Sequence, residues 1–215
     1  MSAVADRPAA RRFTWRSAEI LALSTLCIAQ LIESIDVTVV NVALPAIRTG
    51  LNFSQANLQW VVSAYTALFG GFLLLGGRCG DLFGKRAVFT AGVTSFTAAS
   101  LVCGLAQSET LLIAGRAAQG LLAAFIAPAT LALITTIFAE GSPRDRAMGI
   151  WGAVTGLSAS LGVICGGALA DGPEWRWIFV INLLIGVVLL IAARRYLPDD
   201  RSKTIRARLD LGSPE

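Results

Sequence analysis

Six long apolar runs constrain the fold of this chain more than any other feature of its sequence. They lie at residues 19–45, 57–77, 87–107, 110–138, 147–170 and 175–195. A run of about 20 apolar residues can cross the roughly 30 Å hydrocarbon core of a bilayer as a helix. Lipid offers no hydrogen-bond partners to the backbone, so only helices or a closed barrel can span it, and continuous runs without alternation favour helices. We therefore predict an all-α membrane protein with six transmembrane helices.

The composition supports this class and argues against several others. Hydrophobic residues make up 55% of the chain and charged residues 15%, whereas about a quarter of a soluble domain is charged. The net charge of +4 does not indicate a nucleic-acid partner, because the basic residues separate the apolar runs instead of forming one basic face. No metal or redox motif is formed by the four cysteines, Cys27, Cys79, Cys103 and Cys165. We predict no enzymatic activity, no metal and no cofactor.

Lys and Arg residues predict how the chain is oriented and divided. The basic segment 1–18 resembles a signal peptide, but the apolar run that follows is too long and lacks a cleavage site. With the N-terminus inside, fifteen of the 18 Lys and Arg residues fall on the cytoplasmic side, as the positive-inside rule requires. We predict a plasma-membrane protein with both termini cytoplasmic: a tail at 1–18, a six-helix bundle at 19–195, and a linker or truncated tail at 196–215.

A weak internal repeat appears when the sequence is compared with itself at an offset of 90 residues. The shared pattern is a glycine pair, an aspartate, an arginine and a phenylalanine. It aligns Gly76, Gly77, Asp81, Arg86 and Phe89 with Gly166, Gly167, Asp171, Arg176 and Phe179. The first copy falls in a predicted inner loop and the second in an outer one, which predicts two inverted three-helix repeats, an arrangement typical of transporters.

Acidic residues inside the first apolar run are the clearest indication of function. An ionised group at the bilayer centre costs about 2.5 to 3.5 kcal/mol on insertion scales and marks ion or substrate pathways. Gln30, Glu33, Ser34 and Asn41 share an arc of about 100°, and Asp36 lies about 60° beyond Glu33. This polar stripe is predicted to face a cavity. Burial favours the neutral carboxyl group and the anion attracts cations, so Glu33 and Asp36 are predicted to carry protons or substrate cations.

Arg116 is the basic counterpart, in the fourth apolar run. Gln119 and Gly120 follow at one-turn spacing and share its face. We predict that Arg116 changes partners as protons bind and leave. Two alternatives remain open from the residues alone: an acidic residue pairs with Arg116 only structurally or caps a helix break, or Arg116 snorkels to the membrane interface.

The charged, glycine-rich segment from Gly76 to Arg86 is predicted to be a loop. Its glycines permit a tight turn, and Asp81 can meet positive charges or a helix N-terminus. The spacing of a Walker phosphate loop is missing. A conformational latch is our interpretation, with a plain positive-inside turn as the alternative. Its key residues are Gly77, Asp81, Gly84, Lys85 and Arg86.

Small residues recur in the fifth apolar run. Gly152, Gly156 and Ser160 are spaced by four residues, and Gly162, Gly166 and Gly167 follow. Small faces let membrane helices approach closely. The run is therefore predicted either to pack statically or to form a surface that slides or bends during transport.

Together these segments resemble the major facilitator superfamily, specifically its drug:proton antiporters with fourteen helices. The segment Gly77–Arg86 is similar to the signature between helices two and three, with Cys79 in place of the usual leucine. Similar matches occur at Ile35–Pro45, Gln59–Tyr65 and Trp175–Asn182. The resemblance covers residues 19–195 and implies that these residues form the N-terminal bundle of a major facilitator fold.

The resemblance extends to the fourth and fifth helices. Arg116, Gln119 and Gly120 match the fourth-helix motif, whose arginine the family associates with proton coupling. The fifth-helix antiporter motif is partly kept, at Gly149, Gly162, Gly166 and Gly167, while Ser158 and Val163 stand where glycine and proline are usual. Leu184 likewise replaces a common proline.

The activity implied by the resemblance is proton-coupled efflux of small amphipathic or cationic compounds. The family encloses its transport path between two bundles, so this chain is expected to be a truncated transporter that lacks the C-terminal bundle. A homodimeric half-transporter, in which a second copy supplies that bundle, is an alternative. A membrane remnant or partner protein without transport activity is another.

Overall fold

The structure is a computed structural model that describes residues 15–170 and 175–198 of the 215-residue chain. Most of the predicted N-terminal tail, most of the C-terminal tail and Asp171 of the second repeat lie outside these residues. The described chain forms seven helices: α1 Ser17–Leu51, α2 Gln55–Leu58, α3 Trp60–Phe83, α4 Lys85–Gly104, α5 Glu109–Ile137, α6 Ser142–Ala170 and α7 Trp177–Tyr196. Six segments are long and apolar enough to span a membrane, and one of them, Gln55–Phe83, contains both the short α2 and α3. The prediction of six transmembrane helices is confirmed.

Two helices run further than the hydropathy predicted. Pro45 lies inside α1, which continues to Leu51 and ends where Asn52 adopts a left-handed conformation with φ of 54°. The prediction of a loop at Gly76–Arg86 is wrong for most of this segment, because α3 remains helical to Phe83. Its single break is Gly84, whose φ of 94° and ψ of 133° suit glycine alone, and α4 starts at the next residue. A charged segment can remain helical where it leaves the hydrocarbon, so charge did not mark the helix end.

The helices pack as two related groups of three. The main contacts join α3 to α5, α1 to α6, α4 to α5, α1 to α7, and α4 to α7, with a smaller contact between α1 and α5. Exchanging the set α1, α3, α4 with the set α5, α6, α7 leaves these six pairs unchanged, whereas a contact between α3 and α4 has no comparable counterpart between the described residues of α6 and α7. Each set crosses the membrane three times, so the second set starts from the opposite side, as inverted repeats require.

Backbone atoms of α3 and α5 meet at two glycines. A Cβ atom placed on Gly76 would collide with the carbonyl oxygen of Ala124, and one on Gly120 would collide with the carbonyl oxygen of Tyr65. Close approach of this kind is the usual reason for small residues at membrane helix interfaces. It brings α3 against the middle of α5 both in its first turns, at Tyr65, and in its last third, at Gly76.

Two of the glycines in α6 serve the same purpose against α1. A Cβ on Gly162 would lie 2.6 Å from Cβ of Thr38, and one on Gly166 would lie 2.8 Å from Cβ of Val42. Another three glycines of the predicted set have no atom within 4 Å of the position of a Cβ: Gly152, Gly156 and Gly167. The first half of α6 therefore presents its small residues on a face that no described helix covers.

Cations collect at one end of the bundle, which we call the basic end. It comprises the start of α1, α4 and α6 and the end of α3, α5 and α7, with Arg16, Arg78, Lys85, Arg86, Arg144, Arg146, Arg194 and Arg195. Three side chains tie these helix ends together: Lys85 donates to the Thr136 hydroxyl (2.7 Å), Arg86 to the Arg194 carbonyl (2.8 Å) and Arg144 to the Thr135 carbonyl (2.9 Å). At the opposite end the described cations are Arg48 and Arg176.

Gly76→Ala and Gly120→Ala are each expected to lower the free energy of unfolding by about 1 to 3 kcal/mol, the usual cost of overpacking. A backbone carbonyl cannot move aside as a flexible side chain can. Reversible unfolding in mixed detergent micelles, followed by ellipticity, measures the change.

Gly70→Ala on α3 is the matched control, because no atom lies within 4 Å of its Cβ position. Alanine should stabilise α3 there by up to about 1 kcal/mol. Equal effects at Gly70 and Gly120 would contradict the close approach of α3 and α5.

Candidate functional site

Asp36 forms the centre of a buried polar network. It lies near the middle of α1 and is fully buried. Its Oδ2 accepts from Nη1 of Arg116 at 2.5 Å, and its Oδ1 accepts from Nδ2 of Asn182, also at 2.5 Å. Hydrogen bonds to an ionised group are short and strong. Both oxygens of one carboxylate thus join α1 to α5 and α7.

The guanidinium of Arg116 is enclosed by four groups. Besides Asp36, its Nη1 donates to Oε1 of Gln119 at 2.8 Å and its Nε donates to the Val61 carbonyl at 3.2 Å. The ring of Tyr65 lies 4.4 Å from the guanidinium carbon, within range of a cation–π interaction. Only 1% of Arg116 is exposed, so it lies inside the bundle and does not snorkel.

Gln119 extends the network to a fourth helix. Its Nε2 donates to the Ser100 hydroxyl at 2.8 Å, and its Oε1 accepts from the Cys103 thiol at 3.4 Å. Both partners lie on α4. The chain of bonds from Asn182 through Asp36, Arg116 and Gln119 to α4 therefore crosses four of the six spans.

Glu33 has a different environment, although it lies one turn before Asp36. It is 7% exposed, and its Oε2 has no hydrogen-bond partner among the described residues. Together with Thr97, Asn182 and Gly186 it lines a cavity of about 20 Å³, enough space for one water molecule. Asp36 has a donor at both oxygens, whereas Glu33 has an open acceptor.

The predicted polar stripe on α1 does not face one cavity. Asn41 is exposed and its Nδ2 donates to the Val37 carbonyl at 2.8 Å, while Gln30 donates to the Ser34 hydroxyl at 3.1 Å. Asp36 points into the bundle instead. The 60° that separates Asp36 from Glu33 on the helix is enough to give the two residues different neighbours.

Other predicted site residues lie far from this network. The segment Gly77–Arg86 is at the basic end, and Asp81 is exposed there. At 1.5 Å per residue, Asp81 lies about 24 Å along α3 from Tyr65. The structure brings together Glu33, Asp36, Arg116 and Gln119, but not the predicted latch or the glycines of α6. Within the described ranges there is no group of three His, Cys, Asp or Glu side chains placed to bind a metal.

Sequence reasoning missed four side chains and one backbone group of the network: Asn182, Tyr65, Ser100, Cys103 and the Val61 carbonyl. Asn182 is a polar residue within an otherwise apolar run, and that signal could have identified it. Tyr65 ends the family-like segment Gln59–Tyr65, whereas Ser100 is an ordinary residue of a membrane helix and gave no signal. The Val61 carbonyl has no signature in a sequence at all.

Comparison with known proteins gives consistent matches. The sequence profile of the Major Facilitator Superfamily matches residues 26–209. Puromycin resistance protein pur8 of Streptomyces alboniger is 44% identical over 210 residues, covering 98% of this chain and 40% of the relative. Cephamycin export protein CmcT of Amycolatopsis lactamdurans is 44% identical over 191 residues, covering 88% and 39%. The chain thus spans about two fifths of the length of these relatives.

Solved structures show the same fold. The proton:xylose symporter XylE, bound to 6-bromo-6-deoxy-D-glucose, superposes with a TM-score of 0.75 at 14% identity, over 89% of this chain and 47% of the symporter. A bacterial homolog of the human lysosomal transporter Spinster gives a TM-score of 0.66 at 21% identity, over 86% and 45%. At such identities the similarity concerns the fold alone.

Arg116→Gln is expected to lower the free energy of unfolding by about 3 to 5 kcal/mol, because it leaves the charge of Asp36 buried without its cation. The double variant that also carries Asp36→Asn should lose less stability than the two single variants together. The expected difference in free energy of unfolding is about 0.5 to 3 kcal/mol. Detergent unfolding of all four proteins measures this coupling.

Glu140→Gln is the control for loss of an ion pair. Glu140 is 88% exposed and pairs with Arg144 at 3.3 Å, a surface geometry worth at most about 1 kcal/mol. If the losses in free energy of unfolding from Asp36→Asn and Arg116→Gln add up in the double variant, the buried pair does not couple the helices.

Proposed function

The chain belongs to the major facilitator superfamily, and on that premise we propose that it forms the N-terminal bundle of a proton-coupled exporter of small amphipathic or cationic compounds. Relatives named for puromycin resistance and cephamycin export support efflux. The observation that carries proton coupling is the pair of Asp36 and Arg116, buried at 0% and 1% exposure within spanning helices. Charges held at such depth are costly and accompany ion movement.

Protonation of Asp36 is the proposed switch. The anion satisfies Arg116 and Asn182 at once, and a proton would remove the charge and occupy one of the two acceptor sites. Arg116 would then be held by Gln119, the Val61 carbonyl and the ring of Tyr65 alone. The link between α1 and α5 would weaken, so the two repeats could shift while protons move inward.

Glu33 is the proposed second proton or cation carrier. Its unpartnered oxygen can accept a proton or a hydrogen bond from a substrate amine. A charged carboxylate without a donor is costly in this environment. The bare anion of Glu33 is therefore much less favourable than its protonated or cation-bound form. This suits a group that exchanges a proton for a cation.

The segment Gly77–Arg86 is the proposed latch at the basic end, which we take to be cytoplasmic, with both termini on that side of the plasma membrane. Lys85 and Arg86 tether α4 to the ends of α5 and α7. Asp81 is exposed and makes no ion pair within the described part of the chain. A cation across the transport path would give Asp81 a partner in one conformation and lose it in another.

A second six-helix unit is the proposed partner. The α3 and α6 segments are the least buried of the six spans, and Gly152 and Gly156 lie on the uncovered face of α6. This unit is either a C-terminal bundle, as the length of the relatives suggests, or a second copy of this chain. Gly162 and Gly166 place no side chain between α6 and α1, which would let α6 slide or bend as the two units rock.

Asp36→Asn is expected to reduce proton-driven export by a factor of about 10 or more, as loss of a typical coupling free energy would. Export of a fluorescent cation and movement of protons are measured in inverted vesicles. Vesicles from cells that express the chain alone are compared with vesicles in which it is fused to the C-terminal part of the puromycin-resistance relative.

Glu140→Gln removes a surface carboxylate and should leave export unchanged at equal protein levels in the membrane. Undiminished proton-driven export by the Asp36→Asn protein would refute the proposed switch. Export by the chain alone would favour two copies over a C-terminal bundle.

Glu33→Gln is expected to lower export of a cationic compound about tenfold relative to a neutral amphipathic one, because the amide neither binds a proton nor attracts a cation. The carboxylate has no partner to lose, so stability should change little. Glu33→Asp keeps the charge and should retain the preference for cations. A preference unaffected by Glu33→Gln would remove Glu33 from the proposed site.

A further inference from the structure

The cavity beside Glu33 is lined by residues of four helices, α1, α4, α5 and α7. Its volume is about 20 Å³, and all ten lining residues are buried, so it is not part of an open face of the bundle. Three of them are polar and come from three different helices: Glu33 of α1, Thr97 of α4 and Asn182 of α7. A buried water needs about 10 to 15 Å³ and two to four polar partners. The cavity meets both conditions.

Each of the three polar side chains has hydrogen-bonding capacity left for an occupant. Oε2 of Glu33 has no partner among the described residues. The Thr97 hydroxyl donates its hydrogen to the Val93 carbonyl at 2.7 Å, so its oxygen can only accept from a further group. Asn182 uses one N–H for Asp36, which leaves the second N–H and the carbonyl oxygen of its amide.

A water fits this lining better than a cation does. Hard cations such as Ca²⁺ and Mg²⁺ take six or more oxygen ligands, and the other seven lining residues offer no polar side chain. Sites for organic molecules usually measure about 300 to 1,000 Å³. A substrate cation could therefore reach Glu33 only after the helices had moved.

Few charged or titratable groups surround Glu33. Asp36 and Tyr65 are the titratable side chains that interact with it electrostatically, and Arg116 is bonded to Asp36. The lining residues of α4, α5 and α7 carry no titratable side chain. The state of Glu33 therefore depends mainly on Asp36 and on the hydrogen bonds that the cavity supplies.

The number of available hydrogens links the state of Glu33 to that of Asp36. The amide of Asn182 donates to Asp36 in this structure, and an amide that turns its N–H to one side turns its carbonyl oxygen to the other. A water in the cavity would then donate to that oxygen and to Thr97, which uses both of its hydrogens. Glu33 is satisfied in this arrangement only if it carries a proton and donates it to the water.

A proton on Oδ1 of Asp36 reverses the arrangement. The protonated oxygen becomes a donor, and the amide of Asn182 can accept from it after rotating by half a turn. The N–H groups of Asn182 then face the water, which accepts from them and donates to Thr97 and Glu33. The anion of Glu33 thereby gains the donor that it lacks.

We propose that this cavity holds one water that bridges Glu33, Thr97 and Asn182, and that Asn182 is a positioning residue through which a proton on one carboxyl group favours the anion of the other. Glu33 and Asp36 then carry their protons alternately. This alternation rests on the proposed function in one respect, the binding of protons by the two carboxyl groups. It does not require transport, so the chain can be tested without a partner.

Infrared difference spectra of the purified 215-residue protein in liposomes, taken between acidic and alkaline buffer, test the water site. The wild-type protein should show a water O–H band that shifts in heavy-oxygen water. Thr97→Val removes the hydroxyl acceptor and should abolish this band, whereas Thr97→Ser should keep it. Thr94→Val is the matched control, because Thr94 also donates to the carbonyl four residues earlier, at 2.7 Å, but is exposed on α4.

Asn182→Leu tests the coupling in the same spectra. The carboxyl bands of Asp36 and Glu33 are assigned with Asp36→Asn and Glu33→Gln. In the wild-type protein, the step at which the Asp36 carboxyl band appears should shift the water band and an amide band of Asn182 together. In Asn182→Leu, the same step should leave the water region unchanged. Replacing sodium by choline should change none of these bands.

Four results would each overturn the proposal: no water band that responds to heavy oxygen, loss of that band in Thr97→Ser as in Thr97→Val, a water band that ignores the Asp36 step in the wild type, or a shift that depends on sodium. Absence of both carboxyl bands would refute the proton carriers and the coupling together. Loss of proton-driven export by the complete transporter, with all bands as expected, would refute the proposed function and leave the water bridge in place.

Discussion

The ion pair between Asp36 and Arg116 is the interaction on which the rest of the bundle depends. Each buried ion loses several kcal/mol of hydration, and only good geometry with further hydrogen bonds offsets that loss. Asn182, Gln119 and the Val61 carbonyl supply the hydrogen bonds, and the ring of Tyr65 adds a cation–π contact. These groups come from α7, α5 and α3. The pair can therefore exist only when four helices, including α1, are correctly placed and rotated.

Glycine makes that placement possible. Gly120 lies one turn beyond Arg116, and its missing side chain lets α3 approach until the Val61 carbonyl and Tyr65 reach the guanidinium. Electrostatics and packing thus constrain each other here. A wider separation of α3 and α5 would leave the arginine short of acceptors, and an unpaired arginine would make the close packing unfavourable.

Two helices connect the network with distant parts of the bundle. Tyr65 at the network and Asp81 at the basic end belong to the same continuous helix α3, which can transmit a displacement between them as a rigid element. Helix α4 carries Ser100 and Cys103, which bond to Gln119, and near its start it carries Arg86, which donates to the Arg194 carbonyl at the basic end.

The sequence by itself determined the six spans, the all-helical class and the presence of opposite charges at membrane depth, because length, hydropathy and desolvation cost are properties of local segments. Only the tertiary structure decided that Asp36, and not Glu33, pairs with Arg116, and that Asn182 completes the pair from 146 residues away. It also decided that Gly84 alone interrupts the charged segment, and that Gly162 packs on α1 while Gly152 stays uncovered. These outcomes depend on the rotation of each helix about its axis, which is set by contacts between distant segments and leaves no periodic signal in a uniformly apolar run.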